Sequence, residues 1–198
     1  MIKNNSDEIR DFCIFQTNAN IKDPYIKSLA WQVLKLTPNA MGRIMWTMDY
    51  NFVWAQTGHL QAGGLFKTAE MSKATPFENN AITFTKKEQS YQFIDLTTDR
   101  NYTGLLHVKN DPTIALQEVS VGSGMSNAAV FARQAEPNMS INFPTQNEYV
   151  ITFGYFTKGE VLDTNQISNS AVIKFPPNVY EVTAILNPDN TWSLQTNE

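Results

Sequence analysis

Alternation of apolar and polar residues recurs from about residue 43 to the C-terminus, and it constrains the fold more than any other feature of this sequence. In the segment RIMWTMDY, apolar side chains take every second position: Ile44, Trp46, Met48 and Tyr50. Successive side chains of a strand point to opposite faces, so this pattern is typical of a sheet with one buried and one wet face. Residues 43–50 are therefore predicted to form a strand.

The same pattern returns in later segments, within residues 82–85, 139–143, 149–153, 171–175 and 180–186. About ten to thirteen such runs follow one another, near the spacing of roughly 8 to 12 residues that β-sandwiches show. Between the last stripe and Trp192 lies the segment NPDN, whose residue types favour a tight turn and predict a hairpin. The predicted fold is all-β, a twisted two-sheet antiparallel β-sandwich.

The segment from residue 24 to residue 36 fits two structures. Ile26, Ala30 and Val33 fit a helical stripe that Asp23 would cap, with Pro24 at the first helical position. Leu29, Trp31 and Val33 fit a strand equally well. One short helix near residues 24–36 and a strand both stay open.

Length and composition set the class of molecule. The 198 residues are predicted to form a single domain over residues 1–198, because one core usually serves about 100 to 250 residues. The sequence is 42% hydrophobic and 17% charged, which excludes intrinsic disorder, and its net charge of −4 argues against a nucleic-acid partner. We find no export signal and no apolar run long enough for a transmembrane segment, so a cytoplasmic location is expected.

Residues with catalytic or metal-binding potential are sparse. Two histidines, His59 and His107, and one cysteine, Cys13, offer no spaced set of zinc ligands. The segment VGSGMSN lacks the GxSxG order of a nucleophile elbow, and its two glycines, Gly122 and Gly124, are better explained by a β-bulge or bend. We therefore expect no catalytic residue, no metal, no cofactor and no enzymatic activity.

The most suggestive segment for binding is WTMDYNFVWAQTGH. Its aromatic rings could stack on the apolar faces of a sugar while amide and carboxylate groups bond the hydroxyls. The candidate ligand-binding residues are Asp49, Tyr50, Asn51 and Trp54. The competing interpretation is that most of these rings belong to the core.

Several longer segments together give the chain a family resemblance: FCIFQTNANI, SLAW, MDYNFVWAQTGHL, VSVGSGMSNAAVFARQAEPNMSINF, EYVITFGYFTKGEVLD and NSAVIKFPPNVYEVTAILNPDNTW. Over nearly its whole length the chain resembles the RhiA-like proteins, named for a rhizosphere-expressed protein of root-nodulating bacteria. The resemblance implies a link to quorum-regulated, plant-associated life. It implies no established biochemical activity and carries no catalytic residue onto this sequence.

Three functional hypotheses follow. The first is a non-enzymatic binding or interaction protein of the RhiA-like type, with an unknown protein or glycan as its ligand. The second is a lectin-like carbohydrate-binding module that uses the four candidate residues. The third is a self-associating or membrane-surface protein, since low charge and unblocked strand edges favour a homo-oligomer.

Overall fold

The computed structural model describes residues 1–19 and 21–197, and nearly all of its regular structure is β-strand. Within these residues there are seventeen strands and one short 3-10 helix, Arg100–Tyr102. The strands are β1 (Ile2–Asn4), β2 (Arg10–Thr17), β3 (Lys27–Ser28), β4 (Gln32–Leu36), β5 (Met41–Gly42), β6 (Tyr50–Ala55), β7 (Glu70–Ala74), β8 (Ala81–Lys87), β9 (Ser90–Thr97), β10 (Leu105–Asn110), β11 (Ser120–Met125), β12 (Ala128–Gln134), β13 (Ser140–Pro144), β14 (Glu148–Gly154), β15 (Ala171–Ile173), β16 (Glu181–Leu186) and β17 (Trp192–Asn197). The predicted all-β class is confirmed.

The described strands form four hydrogen-bonded sheets. Their strand orders are β17-β16-β1-β5 in sheet I, β15-β14-β2-β4 in sheet II, β3-β12-β11-β6-β7 in sheet III and β13-β10-β8-β9 in sheet IV. Most neighbours are antiparallel, but β1 pairs with β16 and β8 pairs with β10 in parallel. Sheets I and IV are therefore mixed, a detail that side-chain alternation does not encode because it is the same for both strand directions.

Aromatic side chains join the sheets face to face in two pairs. Trp192 of sheet I lies 6.0 Å, between ring centroids, from both Phe12 and Phe153 of sheet II. Trp54 of sheet III lies 5.7 Å from Phe84 of sheet IV. One large cluster of buried residues draws on all four sheets, which is the packing expected of a β-sandwich.

Sheets II and III are buried on both faces. In β2, Phe12 and Ile14 point into the large cluster, whereas Cys13 and Phe15 belong to a separate cluster on the opposite face. Leu162, from the long connection after β14, covers that second face. As a result, strands in these sheets carry apolar residues at consecutive positions and not only at alternate ones.

Burial on both faces explains why residues 24–36 were ambiguous. They contain β3 and β4, so of the two alternatives that stayed open the strand is correct and the helix is not. Leu29, Ala30 and Trp31 between these strands are fully buried, and each belongs to a different apolar cluster. Three consecutive apolar residues of an extended chain resemble part of a helical stripe when only the sequence is visible.

The segment of residues 43–49 also differs from its prediction. It lies in the described part of the chain and contains no strand, because β6 begins only at Tyr50. Ile44 and Trp46 pack against the core as their alternation indicates, but Met48 is 69% exposed. The segment runs from β5 in sheet I to β6 in sheet III, so its alternation comes from side chains that pack on the core and not from a sheet ladder.

Two local predictions, a β-bulge and a hairpin turn, are confirmed. Ser123 pairs with Phe131 but Gly124 pairs with Ala129, so β12 carries one extra residue opposite β11 and a β-bulge forms there. The NPDN segment closes the hairpin between β16 and β17, with the Asn187 amide donating to the Thr191 carbonyl at 2.9 Å.

Candidate functional site

A large cavity lies between sheets I and II and has a volume of about 880 Å³. Its walls are mainly apolar side chains from the two sheets: Ile2, Val182, Ala184, Ile14, Ile151 and Ile173. The segment of residues 43–48 and the segment that leads into β16 complete the lining. We call this space the apolar cavity.

An aromatic cluster forms one side of the apolar cavity. The Trp46 ring lies 5.2 Å from the ring of Tyr149 and 5.8 Å from that of Phe175, measured between centroids. Behind it, fully buried Trp31 contacts Trp46 at 5.4 Å and donates its indole N–H to the Met125 carbonyl at 2.9 Å. This bond holds Trp31 in one orientation, and Trp31 in turn packs against the rings that line the cavity.

Burial at this cluster also changes the chemistry of a tyrosine. Burial raises the pKa of Tyr149, and a hydrogen bond from Trp46 offsets part of that increase. The phenol is therefore neutral at physiological pH.

The rim of the apolar cavity combines flexible apolar side chains with charged ones. Met45 is 78% exposed and Tyr180 is 88% exposed, and both line the cavity. Arg43 and Glu181 form an ion pair there, with 3.2 Å between Nη2 and Oε1. Methionine adapts readily to irregular shapes, so this rim suits an apolar guest with a polar end.

A second cavity of about 540 Å³ lies beside the first. Most of its accessible wall is apolar, but several polar side chains border it, and for these we call it the polar cavity. Its lining includes an acid, two amides, an amine, a hydroxyl and an aromatic ring: Asp49, Asn51, Asn127, Lys73, Thr75 and Phe77. Met48, Thr145 and Gln146 line both cavities, so the two spaces share a wall.

Three of the four candidate residues predicted from the sequence meet at the polar cavity. Asp49 is exposed, and its Oδ1 accepts hydrogen bonds from the Thr47 hydroxyl at 2.5 Å and from the Ser126 amide at 3.1 Å. The bond from Thr47 is the main reason that the pKa of Asp49 is lowered, with the Ser126 amide adding to the effect. Tyr50 is half-buried and donates its phenol proton to the Thr145 carbonyl at 2.9 Å. Asp49 is therefore an ionised acceptor at neutral pH, and Tyr50 is held in place.

The third of these residues is Asn51. It is only 4% exposed, and its Nδ2 has no hydrogen-bond partner. Buried polar atoms nearly always have a partner, and this nitrogen has almost no accessible surface, so it is an unsatisfied donor inside the fold and not one that opens into the cavity.

Trp54, the fourth candidate, lies apart from the other three. Its ring packs against Phe84 and Tyr91, and its indole N–H donates to Glu70 Oε2 at 2.7 Å. Trp54 lines neither cavity. The structure thus places this ring between sheets III and IV, where burial is its evident role.

Comparison with known proteins identifies the family. The RhiA family model matches residues 1–197. The chain belongs to the RhiA family. A curated relative, Protein RhiA of Rhizobium leguminosarum bv. viciae, is 27% identical over 199 residues, an alignment that covers 98% of this chain and 84% of that protein. No solved structure gives a significant match. The resemblance seen in the sequence motifs is thereby confirmed.

Sequence reasoning missed several residues of the polar cavity in this RhiA-family chain. Lys73 lies on β7, directly opposite Asn51 of β6, and Phe77 follows β7. Asn127 sits in the tight turn between β11 and β12. None of the three belongs to the segment of residues 46–59, and only strand pairing brings them beside it.

Two other kinds of site, metal centres and membrane-spanning helices, leave no trace in the described residues of this RhiA-family chain. Over residues 1–19 and 21–197, no three His, Cys, Asp or Glu side chains come together in a way that could hold a metal ion. Over the same residues, no helix has the length and apolar character needed to span a membrane.

Proposed function

We propose that this RhiA-family chain is a non-enzymatic binding protein that holds an apolar or amphipathic small molecule in the apolar cavity. The observation that carries the proposal is the cavity itself, about 880 Å³ with walls of isoleucine, valine and aromatic side chains. Sites for small molecules commonly have volumes of about 300 to 1,000 Å³, mostly apolar walls and a few polar groups.

The groups at the rim indicate how such a ligand would lie. An apolar body would pack against Trp46 and Phe175, while a polar end would remain near Arg43 and Glu181. Removing about 300 Å² of apolar ligand surface from water contributes roughly 7 kcal/mol before the costs of ordering the ligand. Since those costs reduce the gain, we expect a dissociation constant weaker than about 10 μM.

Two other expectations from the sequence stay predictions beside this proposal. A cytoplasmic location rests on the sequence pattern alone. A role in quorum-regulated or plant-associated life rests on the family resemblance alone.

The test fills the apolar cavity and measures binding of a fluorescent amphipathic probe, 1-anilinonaphthalene-8-sulfonate, which has an aromatic body and one anionic sulfonate. Val182→Phe adds a ring to a cavity wall, whereas Leu116→Phe adds the same ring type at an exposed position outside both cavity linings. We expect the native protein and Leu116→Phe to bind the probe with similar affinity, and Val182→Phe to lose at least tenfold. Each variant must first show a cooperative thermal transition, because partly unfolded proteins also bind this probe.

Two results would overturn the proposal. The first is unchanged probe affinity in a folded Val182→Phe variant, together with no binding of any compound in a panel of apolar small molecules. The second is turnover of a substrate that Val182→Phe abolishes, since the cavity would then belong to an enzyme.

A further inference from the structure

Seven of the eight sheet edges in the described part of the chain carry a feature that hinders pairing with another strand. β3, β5 and β15 have only two or three residues each. β4 and β7 carry charged side chains, and β13 ends on Pro144, which has no N–H to donate. In β9, Asp95 has a φ of 52°, the register with β8 shifts there, and the Phe93 amide already donates to Glu70 Oε2 at 3.3 Å. Short strands, charges, prolines and bulges are the devices that keep natural edges from pairing.

β17 is the eighth edge, and it has none of these features. Its six residues, Trp192–Asn197, pair with β16 in an unbroken antiparallel register. The strand WSLQTN contains no charged residue and no proline. Among the described strands, β16 is its one pairing neighbour. Sheet I therefore ends on a regular, uncharged strand.

The hydrogen bonds of β16 show which backbone groups of β17 face away from the sheet. The Leu186 carbonyl accepts from the Asn5 amide at 2.9 Å. The Ala184 amide donates to the Met1 carbonyl at 3.0 Å, so both of these β16 residues bond toward β1. Backbone groups alternate in direction along an antiparallel strand, so the β17 residues opposite this set direct their N–H and C=O groups outward. These residues are Trp192, Leu194 and Thr196.

The side chain of Leu194 is a second sign of an incomplete sheet. It lies opposite Ala184, which is buried on the inner face of sheet I. Directly opposite residues of a sheet share a face, so Leu194 also points inward. Leu194 is nevertheless 39% exposed, because sheet I ends at its strand. A further strand with an apolar residue opposite Leu194 would cover it.

A second copy of β17 meets both requirements. Antiparallel pairing about a twofold axis at Leu194 sets this residue opposite its own copy, and it sets Trp192 opposite Thr196 of the second copy. All the residues in these pairs direct backbone groups outward, so the three pairs together would exchange about six hydrogen bonds. An uncharged strand also meets its copy without like-charge repulsion, which a charged edge such as β7 would not avoid.

We propose that β17 pairs with β17 of a second copy of this chain, so that two copies of sheet I form one continuous sheet across a twofold axis at Leu194. The pairing does not depend on a ligand in the apolar cavity. A single strand pair buries less surface than the roughly 1,200 Å² of a standard stable interface. The dimer is therefore expected to be weak, with a dissociation constant of about 50 to 500 μM.

Sedimentation velocity of the full chain over about 5 μM to 1 mM measures this pairing, and two double variants test its register. In the proposed register Ser193 lies opposite Gln195 of the second copy, in a pair without hydrogen bonds, where side chains come closest. Ser193→Lys with Gln195→Lys sets like charges opposite each other and should weaken the dimer at least tenfold. Ser193→Lys with Gln195→Glu sets opposite charges there and should dimerise at least as tightly as the native chain at low salt.

The two double variants are matched in their other effects. Both lose the hydrogen bond that the Asn187 amide donates to the Ser193 hydroxyl, so this loss does not separate them. Each must show a cooperative thermal transition before its sedimentation is compared with that of the native chain.

A single substitution tests the outward backbone groups independently of charge. Thr196→Pro removes one outward N–H but no N–H that β17 directs to β16, and Thr196→Ala at the same position keeps the N–H. We expect Thr196→Pro to weaken the dimer at least tenfold and Thr196→Ala to leave it unchanged. A native chain that stays monomeric up to about 1 mM would overturn the proposal. A dimer that survives equally in both double variants and in Thr196→Pro would also overturn it, because the copies would then meet through another surface.

Discussion

Replacing Gly122 by alanine is expected to destabilise the fold strongly, because two strands enclose this residue without room for a side chain. Gly122 lies in the middle of β11 and pairs with Val53 of β6 and with Ala132 of β12. A Cβ atom added there would lie 2.0 Å from the Phe131 carbonyl oxygen. The obstacle is backbone, so no rotamer change can relieve it.

The size of the effect follows from how far the strands must move. Carbon and carbonyl oxygen approach to about 3.3 Å, so β11 and β12 would have to separate by roughly 1.3 Å near this position. That displacement breaks about two ladder hydrogen bonds at roughly 1 kcal/mol each, and overpacking adds about 1 to 3 kcal/mol. We expect Gly122→Ala to lower the free energy of unfolding by about 3 to 5 kcal/mol, and the Tm by about 10 to 15 °C for a chain of this size.

The assay compares thermal unfolding of Gly122→Ala with that of Gly154→Ala, followed by circular dichroism. Gly154 lies at the end of β14, and the three atoms nearest to a Cβ atom there would belong to the ring of Phe156, the closest at 3.1 Å. A ring can rotate or shift by a few tenths of an ångström, so this variant should lose less than about 1 kcal/mol. If Gly122→Ala melts within about 2 °C of the native protein, the reasoning from close strand approach is refuted.

Three further predictions test the burial of particular side chains. Burial raises the pKa of the Cys13 thiol, so a thiol reagent at neutral pH should label the native protein slowly and the urea-unfolded protein at once; rapid native labelling would contradict this burial. Burial likewise raises the pKa of three of the seven tyrosines, Tyr50, Tyr91 and Tyr149, above the ordinary value of 10.0. The stability linked to their neutral forms is therefore present below pH 10 and is lost as the pH rises through the folded-state pKa. Absorbance titration should show these three tyrosines ionising late. Trp54→Phe removes the partly buried indole that donates to Glu70, and it should lower the free energy of unfolding in urea by about 1 to 3 kcal/mol; unchanged stability would contradict a packing role for Trp54.

The strands that the sequence predicted best share one property. In β13, Ile141 and Phe143 are buried while Ser140 and Asn142 are exposed, as the alternation indicates. In β16, Val182, Ala184 and Leu186 are buried in the same manner. Each strand has one covered face and one less covered face, so a local pattern was enough to identify it.

Residues 43–49, which differed from expectation, and residues 24–36, which stayed open, were hard to predict for a common physical reason. Alternation reports which side chains meet the core, but it does not report whether the backbone has a ladder partner. Residues 43–49 alternate without pairing, and residues 24–36 pair without strict alternation because apolar groups cover both sides. Homo-oligomer formation also stays a prediction, because an edge strand in one chain does not show whether a second chain pairs with it. Light scattering measures the oligomeric state directly.

The candidate site likewise contains some residues that the sequence could identify and others that it could not. Asp49, Tyr50 and Asn51 are neighbours in the sequence, so a mixed aromatic and polar segment could be singled out there. Lys73 reaches the site through the pairing of β7 with β6, and the Tyr50 phenol is fixed by a carbonyl 95 residues away along the chain. No local signal links these positions.

The sequence by itself determined that this chain is a β protein, where its clearest hairpin turns and which glycines accompany a bulge, because these properties depend on residues within a few positions of one another. Only the tertiary structure decided which strands pair, which sheets are covered on both faces, and that two cavities flank the segment of residues 43–49. Those features depend on contacts between residues far apart in the chain, such as Trp31 with the Met125 carbonyl, 94 positions away. Their free energy comes from burial and hydrogen bonding that exist only once the sheets have come together.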